Sequence, residues 1–488
     1  MTEGETVHPR RGLVLAACMM ATFTAAVEST IVATAMPTIA ADLSGAELTS
    51  WVFSAYLLAQ AVTIPIYGRL ADLHGRKRIF VIGAALFFAG SALCGLAGSI
   101  TTLILFRALQ GCGAGAVQPI AYTIVGDIYA PAERARIQGM LSGVFGAAAI
   151  VGPTIGAVLV RAGSWRAVFW INLPIVAAAI VMVIVFLHET VRTRRHQIDL
   201  IGAILLVAGI GGIILAADRW RALGTTNGAA AAGIGIAALV ALVYHERNTR
   251  EPMLPAALWR SRIIVVGGFG AFAVGAAIMS VLAFLPVYIQ AAMGRGSGEA
   301  GIVLGVLLLV WTFGSISGGR LMVHISYRTT CCAGAVIIIA GAGMLIALTP
   351  DASIVYACVA VSVLGIGLGF CNTTWIVSVQ TQVNYELRGS ATSAVLFMRF
   401  LGQALGAAFA GVILSFGLRH GVLDAADPLG RLLDQANPLA GPDRASLAIA
   451  VSGAFRGIFE LTALMGLVTL VLALRLPRGV GAGFSRRT

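Results

Sequence analysis

The chain has 488 residues, 58% of them hydrophobic and 11% charged, and its mean hydropathy is +0.92. That balance excludes a soluble globular protein, which needs a far more polar surface at this size. A formal net charge of +12 does not signal a nucleic-acid binder, because the cations sit in short segments between apolar runs and form no basic domain.

A crossing helix takes about 20 apolar residues. In chain order, fourteen segments qualify: 12–40, 48–69, 79–99, 102–126, 136–160, 168–188, 199–217, 228–245, 262–292, 299–323, 329–349, 353–378, 388–418 and 447–474. Most joining loops are too short for extramembrane domains. The exception, Arg419–Ser446, carries Pro428, Pro438, Gly441 and Pro442 and has room for a small amphipathic piece. With both termini inside, the inner segments hold 22 Lys/Arg and the outer ones eight. This asymmetry supports cytoplasmic termini and an even number of spans. Twelve spans fit the sign equally well; the length and apolarity of 199–217 and 228–245 favour fourteen.

The seven cysteines lie in or at the ends of apolar segments without C-x-x-C spacing, which points to buried free thiols rather than a metal site or disulfide framework. No P-loop, H-E-x-x-H or G-x-S-x-G pattern occurs, so neither direct ATP use nor hydrolase chemistry is indicated. Rings of like charge or a repeated carbonyl filter, as in channels, are also missing.

Charge inside the apolar runs carries the functional signal. Glu28 lies about 25 Å of helix rise beyond Arg11, in an otherwise apolar segment. A carboxyl in such surroundings takes a proton readily and releases it when water or a cation arrives. The competing reading is a structural Glu held by a neighbour such as Arg107. Near the other end of the chain, Arg456 and Glu460 share a helix face, either as a local pair or as a second protonation site. Tyr56, Gln60, Gln118, Tyr122, Trp311, Asn372, Trp375, Gln380, Arg399 and Gln403 are the polar or aromatic candidates for lining a substrate cavity.

The loop Gly68–Arg78, GRLADLHGRKR, resembles the signature between the second and third spans of the major facilitator superfamily. Leu73 stands where that signature often has Arg, and a weak second copy occurs at Gly319–Arg328. The resemblance implies a conformational latch of Asp72, Arg76 and Asp127, with Asp72 capping a neighbouring helix and Arg76 pairing with Asp127. Leu103–Gly115, LILFRALQGCGAG, is similar to the family's fourth-span motif, whose Arg, here Arg107, is linked to proton handling. Gly143–Ala157, GVFGAAAIVGPTIGA, looks like the family's antiporter motif, centred here on Gly152, Pro153 and Gly156.

Three further segments resemble the fourteen-span drug:proton antiporter branch (EmrB/QacA-like): ESTIVATAMPTI (Glu28–Ile39, with Glu in place of the usual Asp), WRAVFWINLP (Trp165–Pro174) and RGSATSAVLFMRFLGQALGAA (Arg388–Ala408). The implied fold is all-α and polytopic: six-helix bundles at 1–190 and 262–488, with two extra helices in the 191–261 linker. The implied activity is proton-coupled efflux of hydrophobic, cationic compounds across a bacterial cytoplasmic membrane, by a monomer in lipid that uses no cofactor, metal or nucleic acid. A dedicated exporter of one endogenous lipid-like metabolite is the alternative.

Overall fold

A computed structural model describes residues 10–43, 49–162, 164–189, 199–249, 260–421 and 441–476, and no strand occurs among them. In lipid, every backbone N–H and C=O must be paired within its own segment, and a run of helices satisfies this. The helices are α1 (Arg11–Asp42), α2 (Thr49–His74), α3 (Arg76–Gly95), α4 (Ile100–Ile128), α5 (Pro131–Arg161), α6 (Ala167–Trp170), α7 (Asn172–Phe186), α8 (Leu200–Asn248), α9 (Arg262–Ala291), α10 (Ser297–His324), α11 (Tyr327–Ile346), α12 (Ile354–Gln382), α13 (Tyr385–Gly421) and α14 (Gly441–Ala473). The linker piece expected within Arg419–Ser446 falls largely on 422–440, outside the described residues.

Among the described residues, twelve helices are long and apolar enough to cross a membrane, α6 and α7 together forming one of them. The expected number was fourteen. One of the two expected segments that do not qualify is 199–217, where the described apolar stretch is Ile201–Ile213 and further side chains lie outside the described set. The other, 136–160, lies in α5, a helix of 31 residues several of whose side chains lie outside the described set.

The chain divides into two compact units. The first comprises Met1–Gly212, Ala230–Val265 and Ile376–Phe397; the second comprises Ile213–Ala229, Val266–Trp375 and Met398–Thr488.

In the first unit α4 is central, packed against both α2 and α3. Its glycines make this possible. Gly111 and Gly115, one turn apart, face α2, where an added methyl would fall 2.3 Å from the Tyr56 carbonyl oxygen and 2.1 Å from Thr63 Oγ1; Gly113, on the opposite face, would meet Phe87 N of α3 at 2.2 Å. Small residues substitute here for the hydrophobic drive that lipid does not supply. Ser99 starts α4 with a capping box, its Oγ accepting from Thr102 N at 3.2 Å while its own N–H donates to Thr102 Oγ1 at 3.1 Å. α1 packs along α5 and α7.

α8 is helical along 49 residues, yet Gly209 lies against Leu239, and a methyl on Gly212 would fall 2.9 Å from the Gly235 Cα. A straight helix would separate Gly212 from Gly235 by about 35 Å, so the chain doubles back between them. Asp199 and His245 close the base of this hairpin, Oδ1 to Nε2 at 2.8 Å. Asp199 Oδ1 also accepts from Gly202 N at 2.8 Å, capping the first arm.

The second unit repeats the close-packing device. Gly314 and Gly318 of α10 abut Ile366 and Phe370 of α12, Gly341 of α11 abuts Leu364, and Gly275 of α9 meets the Arg399 carbonyl of α13. α14 packs along α11.

Candidate functional site

Glu28 and Arg107 meet inside the first unit. Arg107 Nη1 donates to Glu28 Oε1 at 2.8 Å, and neither side chain has any exposed surface. The same Nη1 donates to Gln110 Oε1 at 2.8 Å, and Arg107 Nε donates to the Val52 carbonyl at 3.2 Å. The guanidinium lies over the Tyr56 ring, 4.1 Å from its centroid, a cation–π contact in a site without water-like screening. Asn172 Nδ2 donates to the other Glu28 oxygen. Arg107 Nη2 is buried and bonds nothing among the described residues. The centre thus holds one carboxylate against one guanidinium, trimmed by two amides. Isolated buried charge is expensive, and the guanidinium facing this carboxyl offsets that cost.

Local folding delivers each of these groups. Gly111 brings the α4 backbone onto α2 at Tyr56, one turn from Arg107. Asn172 is placed by the chain entering α7: Ser91 Oγ donates to the Phe169 carbonyl at 2.8 Å. Asp42, at the end of α1, also accepts from Trp165 Nε1 at 2.8 Å and Arg166 Nη1 at 3.1 Å. These two donors, the Trp165 N–H first, hold the Asp42 carboxyl below the usual range.

A second charged cluster forms around the 68–78 loop. Gly75 has φ 93°, a left-handed conformation that glycine adopts without Cβ strain. The turn it makes starts α3, whose first N–H groups, on Arg76 and Lys77, both donate to Glu189 at 3.0 Å, a carboxylate at the positive end of a helix. Arg76 then reaches Asp72 (Nη2–Oδ1, 3.2 Å), Asp127 (Nε–Oδ2, 3.1 Å) and the Tyr385 carbonyl (2.7 Å), with its guanidinium 4.1 Å from the Tyr385 ring centroid. Asp72 accepts from Gly389 N at 2.9 Å and from Ser390 N and Oγ, each at 2.6 Å. Arg388 Nη1 meets Asp127 Oδ1 at 2.5 Å and the Gly126 carbonyl at 3.2 Å. All of these residues belong to the first unit, including the 376–397 segment. Beside them, Gln380 accepts from Gln138 Nε2 at 2.7 Å and donates to Thr392 Oγ1 at 3.0 Å and to the Tyr122 carbonyl at 3.2 Å.

The family model described as Major Facilitator Superfamily matches residues 18–407. The chain belongs to the Major Facilitator Superfamily. It is accordingly a multi-pass membrane protein of a transporter family and not an enzyme. "Multidrug resistance protein 3" of Bacillus subtilis (strain 168) is 34% identical over 391 residues, 80% of this chain and 76% of that relative. "Multidrug transporter protein MdtP" of the same organism is 30% identical over 466 residues, 93% and 85% of the two chains. Among solved structures, the human organic anion transporter MFSD10 (TETRAN) aligns with a TM-score of 0.64 at 13% identity, covering 94% of this chain and all of that one. The proton:xylose symporter XylE aligns with a TM-score of 0.63, also at 13% identity, over 96% of each chain. At such identity these structures report the facilitator fold alone.

Against that family background, the sequence-derived candidates divide by location. Glu28 and Arg107 are in contact, as are Asp72, Arg76 and Asp127. Gly152 and Gly156 lie on the α1–α5 seam, where an added methyl would meet Thr30 Oγ1 at 2.0 Å and Ile31 Cγ1 at 3.1 Å; the Pro153 side chain is outside the described set. Of the cavity candidates, Tyr56, Gln60, Gln118, Tyr122 and Gln380 fall in the first unit, and Trp311, Asn372, Trp375, Arg399 and Gln403 in the second. Arg399 donates to Asn372 Oδ1 at 3.1 Å, with its backbone against α9. Gln380 and the Tyr122 carbonyl are engaged in the junction just described, whereas Gln118 Nε2 is buried without a hydrogen-bond partner among the described residues.

Sequence reading did not single out Asn172, Gln110, Glu189 or Arg388. Asn172 and Gln110 were legible only as polar letters inside the quoted motifs, WINLP and RALQG. Glu189 and Arg388 gave no local signal, since their partners lie 113 and 261 residues away.

Proposed function

We propose that this chain is a proton-coupled antiporter that expels hydrophobic, cationic compounds. The observation that carries the reading is the wholly buried Glu28–Arg107 pair. A lone carboxylate facing a lone guanidinium has two economical states: ionised and paired, or protonated and released. A proton arriving at Glu28 frees Arg107 from it, and a cation approaching the carboxylate drives the proton off again. The unpartnered Arg107 Nη2 is available to water on the proton's path. The relatives' names, a multidrug resistance protein and a multidrug transporter, favour efflux of diverse amphipathic substrates.

The cluster of Asp72, Arg76, Asp127 and Arg388 is assigned the latch. It ties the turn between α12 and α13 to α2, α3 and α4, and must part when the transporter changes state. Gly152 and Gly156 form the close α1–α5 seam next to Glu28, where a proton-dependent shift of α1 would be felt, and with Pro153 are assigned the antiporter motif's role. Tyr56, Gln60, Gln118, Tyr122, Trp311, Asn372, Trp375, Gln380, Arg399 and Gln403 are assigned to substrate contact.

The bundles span 1–190 and 262–488, joined by a 191–261 segment holding two extra helices. We count α5 and the Ile201–Ile213 arm as crossings, giving the fourteen spans of the EmrB/QacA-like branch. The 31-residue length of α5 and the folding of the arm against the span Asn227–Asn248 support this count. The Lys/Arg asymmetry supports cytoplasmic termini, and the working unit is taken to be a monomer in a bacterial inner membrane.

The deciding experiment reconstitutes the protein in liposomes and follows extrusion of a cationic dye under an imposed ΔpH. Proton-gradient-dependent export is the expected result. Equal export with ΔpH and voltage collapsed would overturn the mechanism.

A further inference from the structure

An exposed face of the last span carries two opposite charges. Arg456 and Glu460 of α14 stand one turn apart, with Nε and Oε1 at 3.4 Å and side chains 63% and 58% exposed. Their depth can be read from Tyr288, whose hydroxyl donates to the Leu348 carbonyl at 2.7 Å and meets Ser452 Oγ at 3.1 Å. Leu348 lies in the turn between α11 and α12, so Ser452 is level with the ends of those helices. Arg456 and Glu460 both lie further along the axis, inside the apolar span Ser446–Ala473, with their charged ends together at one level.

A groove of about 390 Å³ between α13 and α14 opens beside the pair. Its floor is the close approach of Gly417 to Ala454, where an added methyl would fall 2.8 Å from the Ala454 Cα. Its apolar rim is Val412 and Phe416, both exposed. The two Nη groups of Arg456 and the second oxygen of Glu460 engage no other described residue. In an apolar span such unused donors and charge are costly. The occupant that satisfies them has an anionic oxygen pair for the guanidinium, an ammonium for the carboxylate, and an apolar chain for Val412 and Phe416.

We propose that this groove binds a phospholipid whose headgroup carries both a phosphate and a primary amine. The phosphate sits on Arg456, the amine on Glu460, and an acyl chain runs along α13. On the orientation proposed above, the lipid comes from the outer leaflet.

The test uses the full chain in detergent, with lipids counted by native mass spectrometry. The mixture offered contains phosphatidylethanolamine, phosphatidylcholine and phosphatidylglycerol of matched acyl chains. The wild type is expected to retain phosphatidylethanolamine about tenfold over the other two, the scale of one charge-assisted hydrogen bond. Glu460→Gln removes its preference over phosphatidylcholine, and Arg456→Gln lowers retention of both about tenfold. Both positions are exposed, so the variants are expected to fold, and a monodisperse elution profile checks this. Phosphatidylglycerol retained as well as phosphatidylethanolamine, or variants that hold lipid like the wild type, would overturn the assignment. So would a two-chain particle lost in the variants, which would make the groove a contact between copies.

Discussion

Two charged centres in the first unit solve opposite problems. At Glu28 a single acid faces a single base, with no exposed surface on either side chain. At the 68–78 loop, three carboxylates and two arginines interlock, and backbone N–H groups of α3 and α13 take part. On the proposed mechanism one proton changes the first centre completely, because a single guanidinium balances its charge. The second is over-determined and gives way only when its helices separate. A sensor calls for the first construction and a fastener for the second.

The comparison breaks most decisively at Glu28. Glu28→Gln is expected to insert and fold but to lose ΔpH-driven efflux down to the level of empty liposomes; normal coupled transport by this variant would refute the sensor. Next comes the pair's energetics. Arg107→Met leaves an unpaired buried acid and is expected to cost about 3–5 kcal/mol of stability, whereas Glu28→Gln combined with Arg107→Met should cost clearly less. Thermal melts of the two purified variants would separate these outcomes.

Asn172→Ala removes one hydrogen bond to the carboxylate, worth about 1.5–3 kcal/mol. Coupled efflux should fall about tenfold or more, while dye binding by fluorescence stays close to wild type. At the fastener, Arg76→Ala is expected to slow turnover with less effect on substrate binding, and equal losses in both would make it a binding residue instead. The smallest effect belongs to Asp42. Its carboxyl is held below the ordinary value of about 4 by Trp165 and Arg166, so its contribution is fully present above that value. It is lost as pH falls through the depressed one. Asp42→Asn should therefore lower the melting temperature slightly at pH 7 and erase part of the acid-induced drop seen in wild type.

Much of this arrangement was legible in the letters. An acid or arginine inside an apolar run is improbable unless something holds it, which is why Glu28 and Arg107 stood out. The 68–78 loop stood out for its charge density. What stayed hidden is neutral or distant. Asn172 costs little in a span and so advertises nothing, although it grips the key carboxylate. Arg388 looked like any inner-loop cation; its partner Asp127 is fixed by how α13 begins, which no local pattern encodes. The number of spans is less legible: hydropathy marks fourteen apolar segments and twelve helices qualify among the described residues, the two exceptions, 136–160 and 199–217, both containing side chains outside the described set.

The hairpin formed by α8 has its two feet within hydrogen-bonding reach, at Asp199 and His245. An insert whose start and finish coincide adds length to the chain without lengthening the path between its flanks. A transporter built this way can gain or shed the whole arm while the neighbouring helices keep their spacing, and a shortened chain joining 199 to 245 by a few glycines would be the direct way to see it.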